Sequence, residues 1–118
     1  MIVNYTRVLT IRSYVATVGL LLAGLALHGA AKVGDAAKGK DLFSQNCDVC
    51  HNTDSTDVKV GPGLKGLFKK PSLQNKKKVT DASVMDIIDK GSPSGMPGFA
   101  ESLTEQDRAN VLAYLKTL

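Results

Sequence analysis

The chain has 118 residues, 43% of them hydrophobic and 5% aromatic, with no tryptophan and a formal net charge of +4. That length leaves room for one domain and no internal repeat is visible. The aromatics after residue 31 are Phe43, Phe68, Phe99 and Tyr114, all within apolar patterns, which argues against a nucleic-acid surface in spite of the basic balance.

Residues 1–31 differ in composition from the rest. Arg7 and Arg12 precede an uncharged apolar run of 13 residues from Val15 to Leu27, within the range of a secretory signal core and short of the roughly 20 residues of a spanning helix. Gly29, Ala30 and Ala31 supply small residues for cleavage after Ala31, leaving a domain of residues 32–118. An uncleaved anchor is the alternative, because 19 residues from Ser13 to Ala31 carry no Lys, Arg, Asp or Glu. Either way residues 32–118 are exported to the periplasm, free or anchored at the membrane facing it, and His28 stays with the leader.

A domain of 87 residues builds only a modest hydrophobic core. The pattern predicts helices separated by loops and no alternating strand, so the class is all-α. The first helix runs from about Asp35 to Asn46, with Leu42 and Phe43 inward and Gly39 permitting close approach of another backbone.

That helix delivers the chain to Cys47-Asp48-Val49-Cys50-His51, the spacing that attaches a c-type haem. One turn places two thiols along one edge of a porphyrin, each able to form a thioether with a vinyl group, and sets His51 beneath the iron. A thioredoxin-like pair, half of a zinc site and a structural disulfide are the competing readings, and none accounts for the adjacent histidine. A zinc site also lacks a fourth ligand, since the other histidine is His28. A covalently held haem would form part of the core, and the chain without it should be poorly folded.

Leu64, Leu67 and Phe68 mark a short apolar turn after Gly61-Pro62-Gly63. Thr80 is positioned to cap a helix that uses Val84, Met85, Ile87 and Ile88 and stops at Gly91. Thr104 caps the last helix, with Glu105 and Asp107 in its first turn and Val111, Leu112, Leu115 and Leu118 along one face. The first helix is the expected partner of that face, Gly39 and Phe43 meeting Val111, Tyr114 and Leu115.

An iron that only passes electrons needs a sixth ligand. Met85 sits at helical spacing among apolar residues and reads as core filler. Met96 lies in Gly95-Met96-Pro97-Gly98-Phe99, where glycines and prolines forbid regular helix and would hold an extended loop across a haem face. Methionine opposite histidine favours the ferrous state and raises the potential.

In these segments the sequence resembles the class I, monohaem cytochromes c of the small bacterial type, over essentially all of residues 32–118. Gly61-Pro62-Gly63-Leu64-Lys65-Gly66-Leu67-Phe68 is similar to the family segment in which a proline carbonyl accepts the hydrogen bond of the haem-ligating histidine. Pro62 would take that role for His51. Gly95-Met96-Pro97-Gly98-Phe99 is similar to the methionine-ligand loop, and Val111-Leu112-Ala113-Tyr114-Leu115-Lys116 to the C-terminal helix. The resemblance implies a small cytochrome c fold around one covalent haem c. It further implies axial ligands His51 and Met96, and a single-electron carrier between redox partners rather than an enzyme. A haem c subunit of a membrane-associated oxidoreductase and a five-coordinate haem ligand sensor are the alternatives. Pro71 to Lys78 matches no functional element of the family.

Without Arg7 and Arg12 the domain carries 13 basic and 11 acidic residues. Seven of the lysines fall between Val58 and Thr80 with no acid among them: Lys59, Lys65, Lys69, Lys70, Lys76, Lys77 and Lys78. This asymmetry suits docking of redox partner proteins at residues 59–78, or is a solvated lysine run. A monomer is the default.

Overall fold

A computed structural model describes residues 32–118, and the leader, its cleavage point and His28 lie outside them. The described chain forms three α-helices: α1 (Ala36–Asn46), α2 (Asp81–Lys90) and α3 (Glu105–Leu115). A single 3-10 turn, Leu67–Lys69, follows the glycine-proline segment. Among the described residues there is no strand, only an isolated antiparallel bridge between Ser72 and Lys78.

Each helix starts where a side chain satisfies its free N–H groups. Asp35 caps α1 by accepting from the amides of Ala37 and Lys38 at 2.9 and 3.2 Å. Thr80 and Ser83 form a reciprocal capping box on α2, and Thr104 and Asp107 form one on α3. Helix α2 stops at Gly91, whose φ of 76° suits a residue without Cβ. Helix α3 ends at Leu115, so Leu118, expected on its apolar face, lies beyond it, though it still packs against the core.

Helix α1 packs across α3 at Gly39. A Cβ there would lie 1.9 Å from the carbonyl oxygen of Asn110 and 2.9 Å from Cβ of Tyr114, so only glycine lets the two backbones approach this closely. Phe43, one turn on, meets Tyr114 edge to face with ring centroids 5.5 Å apart. Asn110 is buried at the same crossing and its Oδ1 accepts from the Asp35 amide at 2.8 Å and from Gln106 Nε2 at 3.1 Å.

The buried core consists of Phe43, Leu67, Val84, Ile88, Val111 and Leu115. Leu42, Leu64, Phe68, Leu73, Phe99 and Leu112 pack against it, partly buried. On α2 the buried row is Val84 and Ile88, four residues apart; Met85 and Ile87 are only half-buried and stand outside the core. Met85 is thus not the core filler its neighbours suggested, because α2 turns only its Val84–Ile88 edge inward.

The lysine-rich stretch is ordered. Leu73 and Val79 pack against the core, the Leu73 amide donates to the Lys77 carbonyl at 2.8 Å, and Lys76 turns the chain with φ 66°. Ser83 Oγ donates to the Lys78 carbonyl at 2.7 Å and ties this turn to α2.

Candidate haem-binding site

The attachment pentapeptide continues α1 as a hydrogen-bonded turn. Cys47 and Asp48 amides both donate to the Phe43 carbonyl, and those of Cys50 and His51 donate to the Cys47 carbonyl at 3.0 Å each. Cys47 and Cys50 are both free thiols, half-buried. Burial, and then the neighbouring Cys50, push the Cys47 thiol up to about 11. A thioredoxin-like cysteine needs the opposite shift, toward thiolate. Among the described residues no three or more His, Cys, Asp or Glu side chains are gathered into one cluster.

His51 is 8% exposed, and its Nδ1 lies 2.8 Å from the Pro62 carbonyl oxygen. A carbonyl can only accept, so Nδ1 carries a proton, and in the neutral ring the lone pair is then on Nε2. No hydrogen bond to Nε2 is made among the described residues. The loop that brings Pro62 to the ring is closed by the Gly61 amide donating to the Cys50 carbonyl at 2.8 Å and the Leu64 amide to the Asn52 carbonyl at 2.8 Å. Gly61 itself lies on the ring: a Cβ there would come 2.4 Å from His51 Cε1.

Cys47, His51 and Met96, drawn from two distant stretches of chain, line one cavity. Its empty space is about 370 Å³, part of it open to solvent. Helices α1 and α3 wall it with Phe43, Val111 and Leu115, α2 adds Ile88, and loops add Leu64, Phe99 and Leu103. Cys50 and Met85 do not line it. An apolar slot with a thiol, an imidazole lone pair and a thioether at its walls fits a haem: soft sulfur and imidazole suit iron, and the remaining walls suit a porphyrin.

A profile described as cytochrome C oxidase, cbb3-type, subunit III matches residues 34–115. The chain belongs to the class I cytochrome c family. It is 33% identical over 85 residues to a cytochrome c-553-like protein of Synechocystis sp., covering 72% of this chain and 70% of that one. It is 31% identical over 108 residues to the cytochrome c2 of Rhodopila globiformis, covering 76% of this chain and 99% of the relative. A solved structure of cytochrome c6 from the diatom Phaeodactylum tricornutum matches with a TM-score of 0.58 and 26% identity, over 71% of this chain and 93% of that one. As a class I cytochrome c the chain is a single-electron carrier with one covalent haem c, not an enzyme.

Sequence reasoning reached Cys47, Cys50, His51, Pro62 and Met96 but not the residues that hold them in place. Gly61 reads in the sequence only as part of a loop, and neither Leu103 nor Arg108 is marked by any local pattern. Nor was the exposed apolar surface beside the attachment turn foreseen: Val49, Val58 and Val60 are 70%, 73% and 77% exposed. Lys59 crosses among them, its Nζ donating to the Asp48 carbonyl at 2.8 Å.

Proposed function

We propose that Cys47 and Cys50 carry the thioether links to the haem c of this electron carrier, that His51 Nε2 and the Met96 sulfur are its two axial iron ligands, and that Pro62 orients His51. The observation that carries this reading is the convergence of Cys47, His51 and Met96 on one apolar cavity. Bound there, the group supplies a reversible one-electron couple. The protein's part is to hold the imidazole ring through Nδ1, to keep water out with Phe43, Ile88, Val111 and Leu115, and to offer a soft sulfur that favours the reduced state.

Docking of redox partners is assigned to the residue 59–78 region together with the valines beside it. Of the seven lysines there, Lys59 and Lys70 are occupied with the carbonyls of Asp48 and Gly63, and Lys77 with Asp86. The ammonium groups of Lys65, Lys69, Lys76 and Lys78 make no hydrogen bond or ion pair among the described residues. Free cations near an apolar patch suit weak, salt-sensitive encounters with an acidic protein surface.

Residues 1–31 are proposed as a secretory leader removed on export to the periplasm, leaving residues 32–118 as a monomer. A second reading, a haem c subunit of a membrane oxidoreductase held by an uncleaved anchor, is favoured by the oxidase-subunit description of the matching profile. No helix among the described residues is long and apolar enough to cross a membrane, and the anchor of this reading is residues 1–31. The intact mass of the exported protein tests both readings. One haem on residues 32–118 supports the carrier, retention of residues 1–31 supports the anchored subunit, and loss of all covalent haem with Cys47 and Cys50 intact contradicts both.

A further inference from the structure

The loop that carries Met96 has no helix of its own and is held from two sides. On one side it is stitched to the end of α2: the Ser92 amide donates to the Met96 carbonyl at 2.9 Å, the Phe99 amide to the Ile88 carbonyl at 2.8 Å, and the Ala100 amide to the Asp89 carbonyl at 3.3 Å. On the other side stands one side chain of α3. Arg108 Nη1 donates to the carbonyls of Ala100 and Leu103 at 3.2 and 2.5 Å. Its Nε faces Asp89 Oδ1 at 2.6 Å, as an ion pair without hydrogen-bond alignment.

We infer that Arg108 is a positioning residue for the iron ligand: it locks the return of the Met96 loop to α2 and α3 at once, and so keeps the Met96 sulfur at the haem. The inference rests on the reading of Met96 as a ligand. Three observations separate this guanidinium from an ordinary surface charge. Its side chain is only 14% exposed, whereas every lysine in an ion pair among the described residues has a side chain at least 47% exposed. It stands early in α3, where the helix dipole favours acids and disfavours a cation, so its own helix gives no reason for an arginine there. Its acceptors belong to the loop and to α2, and only a planar fork with several N–H groups reaches two carbonyls and a carboxylate together.

A thioether is a weak ligand, and how often it leaves the iron depends on how firmly its loop is held. Arg108 thereby sets the accessibility of the iron to an outside ligand, which a merely stabilising ion pair would not. The control is Lys116, which also joins α3 to α2, through Asp81 at 2.7 Å, but does not touch the loop.

The test is binding of free imidazole to the ferric, haem-loaded protein, followed by loss of the far-red sulfur band, for wild type and for Arg108→Gln, Arg108→Lys and Lys116→Ala. Arg108→Gln is expected to bind imidazole at least about tenfold more tightly, a shift of ~1.4 kcal/mol. Arg108→Lys keeps the charge opposite Asp89 but loses the fork, and should fall between Arg108→Gln and wild type. Lys116→Ala should keep wild-type affinity whatever its melting temperature. If either Arg108 variant melts lower yet binds imidazole with wild-type affinity, Arg108 is only structural and the inference fails. A wild-type protein without the sulfur band would instead overturn the ligand assignment itself.

Discussion

The Nδ1 atom of His51 donates to the Pro62 carbonyl oxygen across 2.8 Å, and this one bond settles which ring nitrogen is free. In the neutral ring Nδ1 is then protonated and Nε2 carries the lone pair, and the ring cannot rotate without breaking the bond. The partner is a backbone atom, so it persists through most side-chain changes at residue 62.

Gly61→Ala tests how tightly that ring is held. The new methyl would meet His51 Cε1 at 2.4 Å and Nδ1 at 2.8 Å, so either the imidazole or the loop must move. We expect haem attachment through Cys47 and Cys50 to survive, with a changed reduction potential and shifted His51 ring resonances in the NMR spectrum of the ferric protein. Unchanged resonances would mean that the loop gives way and the ring is not fixed by its neighbours.

Gly39→Ala should be among the most destabilising small substitutions. Its Cβ would sit 1.9 Å from a carbonyl oxygen of α3, an atom that cannot swing aside as a side-chain tip can. Overpacking of this kind costs ~1–3 kcal/mol, and each kcal/mol lowers the melting temperature of a domain this size by ~4–8 °C. Thermal unfolding of the haem-loaded protein gives the answer, and a loss under ~2 °C would show that α1 and α3 slide apart easily.

Asn110→Ala removes the acceptor shared by the Asp35 amide and Gln106. The cost should be ~0.5–1.5 kcal/mol, the usual net value of a hydrogen bond, since both bonds are only part-buried. Denaturant unfolding would register it as a lower midpoint with an unchanged slope. The haem spectrum should stay as in wild type, because Asn110 does not line the cavity.

Asp86 lies between Lys90 and Lys77, and hydrogen bonds from those two, Lys90 first, hold its carboxyl below the ordinary value of 3.8. A carboxyl whose folded pKa is depressed contributes stability above its unfolded value and loses it as pH falls through the folded one. Asp86→Asn should therefore melt slightly below wild type near neutral pH, with the difference closing as pH drops below 3.8. The gap is small because the carboxylate is exposed and screened. A difference that persists at the acid end would point to a cause other than charge.

That Cys47, His51 and Met96 share a cavity, and that Pro62 meets His51, could be anticipated because each segment is local: two thiols and an imidazole within five residues, or a methionine among glycines and prolines, stand out without tertiary information. The last two helices were legible through Thr80 and Thr104, which cap them as their side chains suggest, and the first through its apolar spacing, although Asp35, read as its first residue, is its cap. Met85 was misread because the pattern Val84, Met85, Ile87, Ile88 does not say which edge of a short helix turns inward. Arg108 was invisible for a different reason: its partners, Asp89, Ala100 and Leu103, come together only through the fold. The lysine-rich stretch hid a tight turn because its anchors, Leu73 and Val79, are single apolar residues among charges.

The most direct measurement is the optical spectrum of the purified haem-loaded protein, oxidised and reduced, with Met96→Ala beside it. Wild type should show the weak far-red band of sulfur-ligated ferric haem, and the variant should lose it. A wild-type protein that lacks the band and binds carbon monoxide readily would contradict it: the iron would then be open, and His51 its only protein ligand.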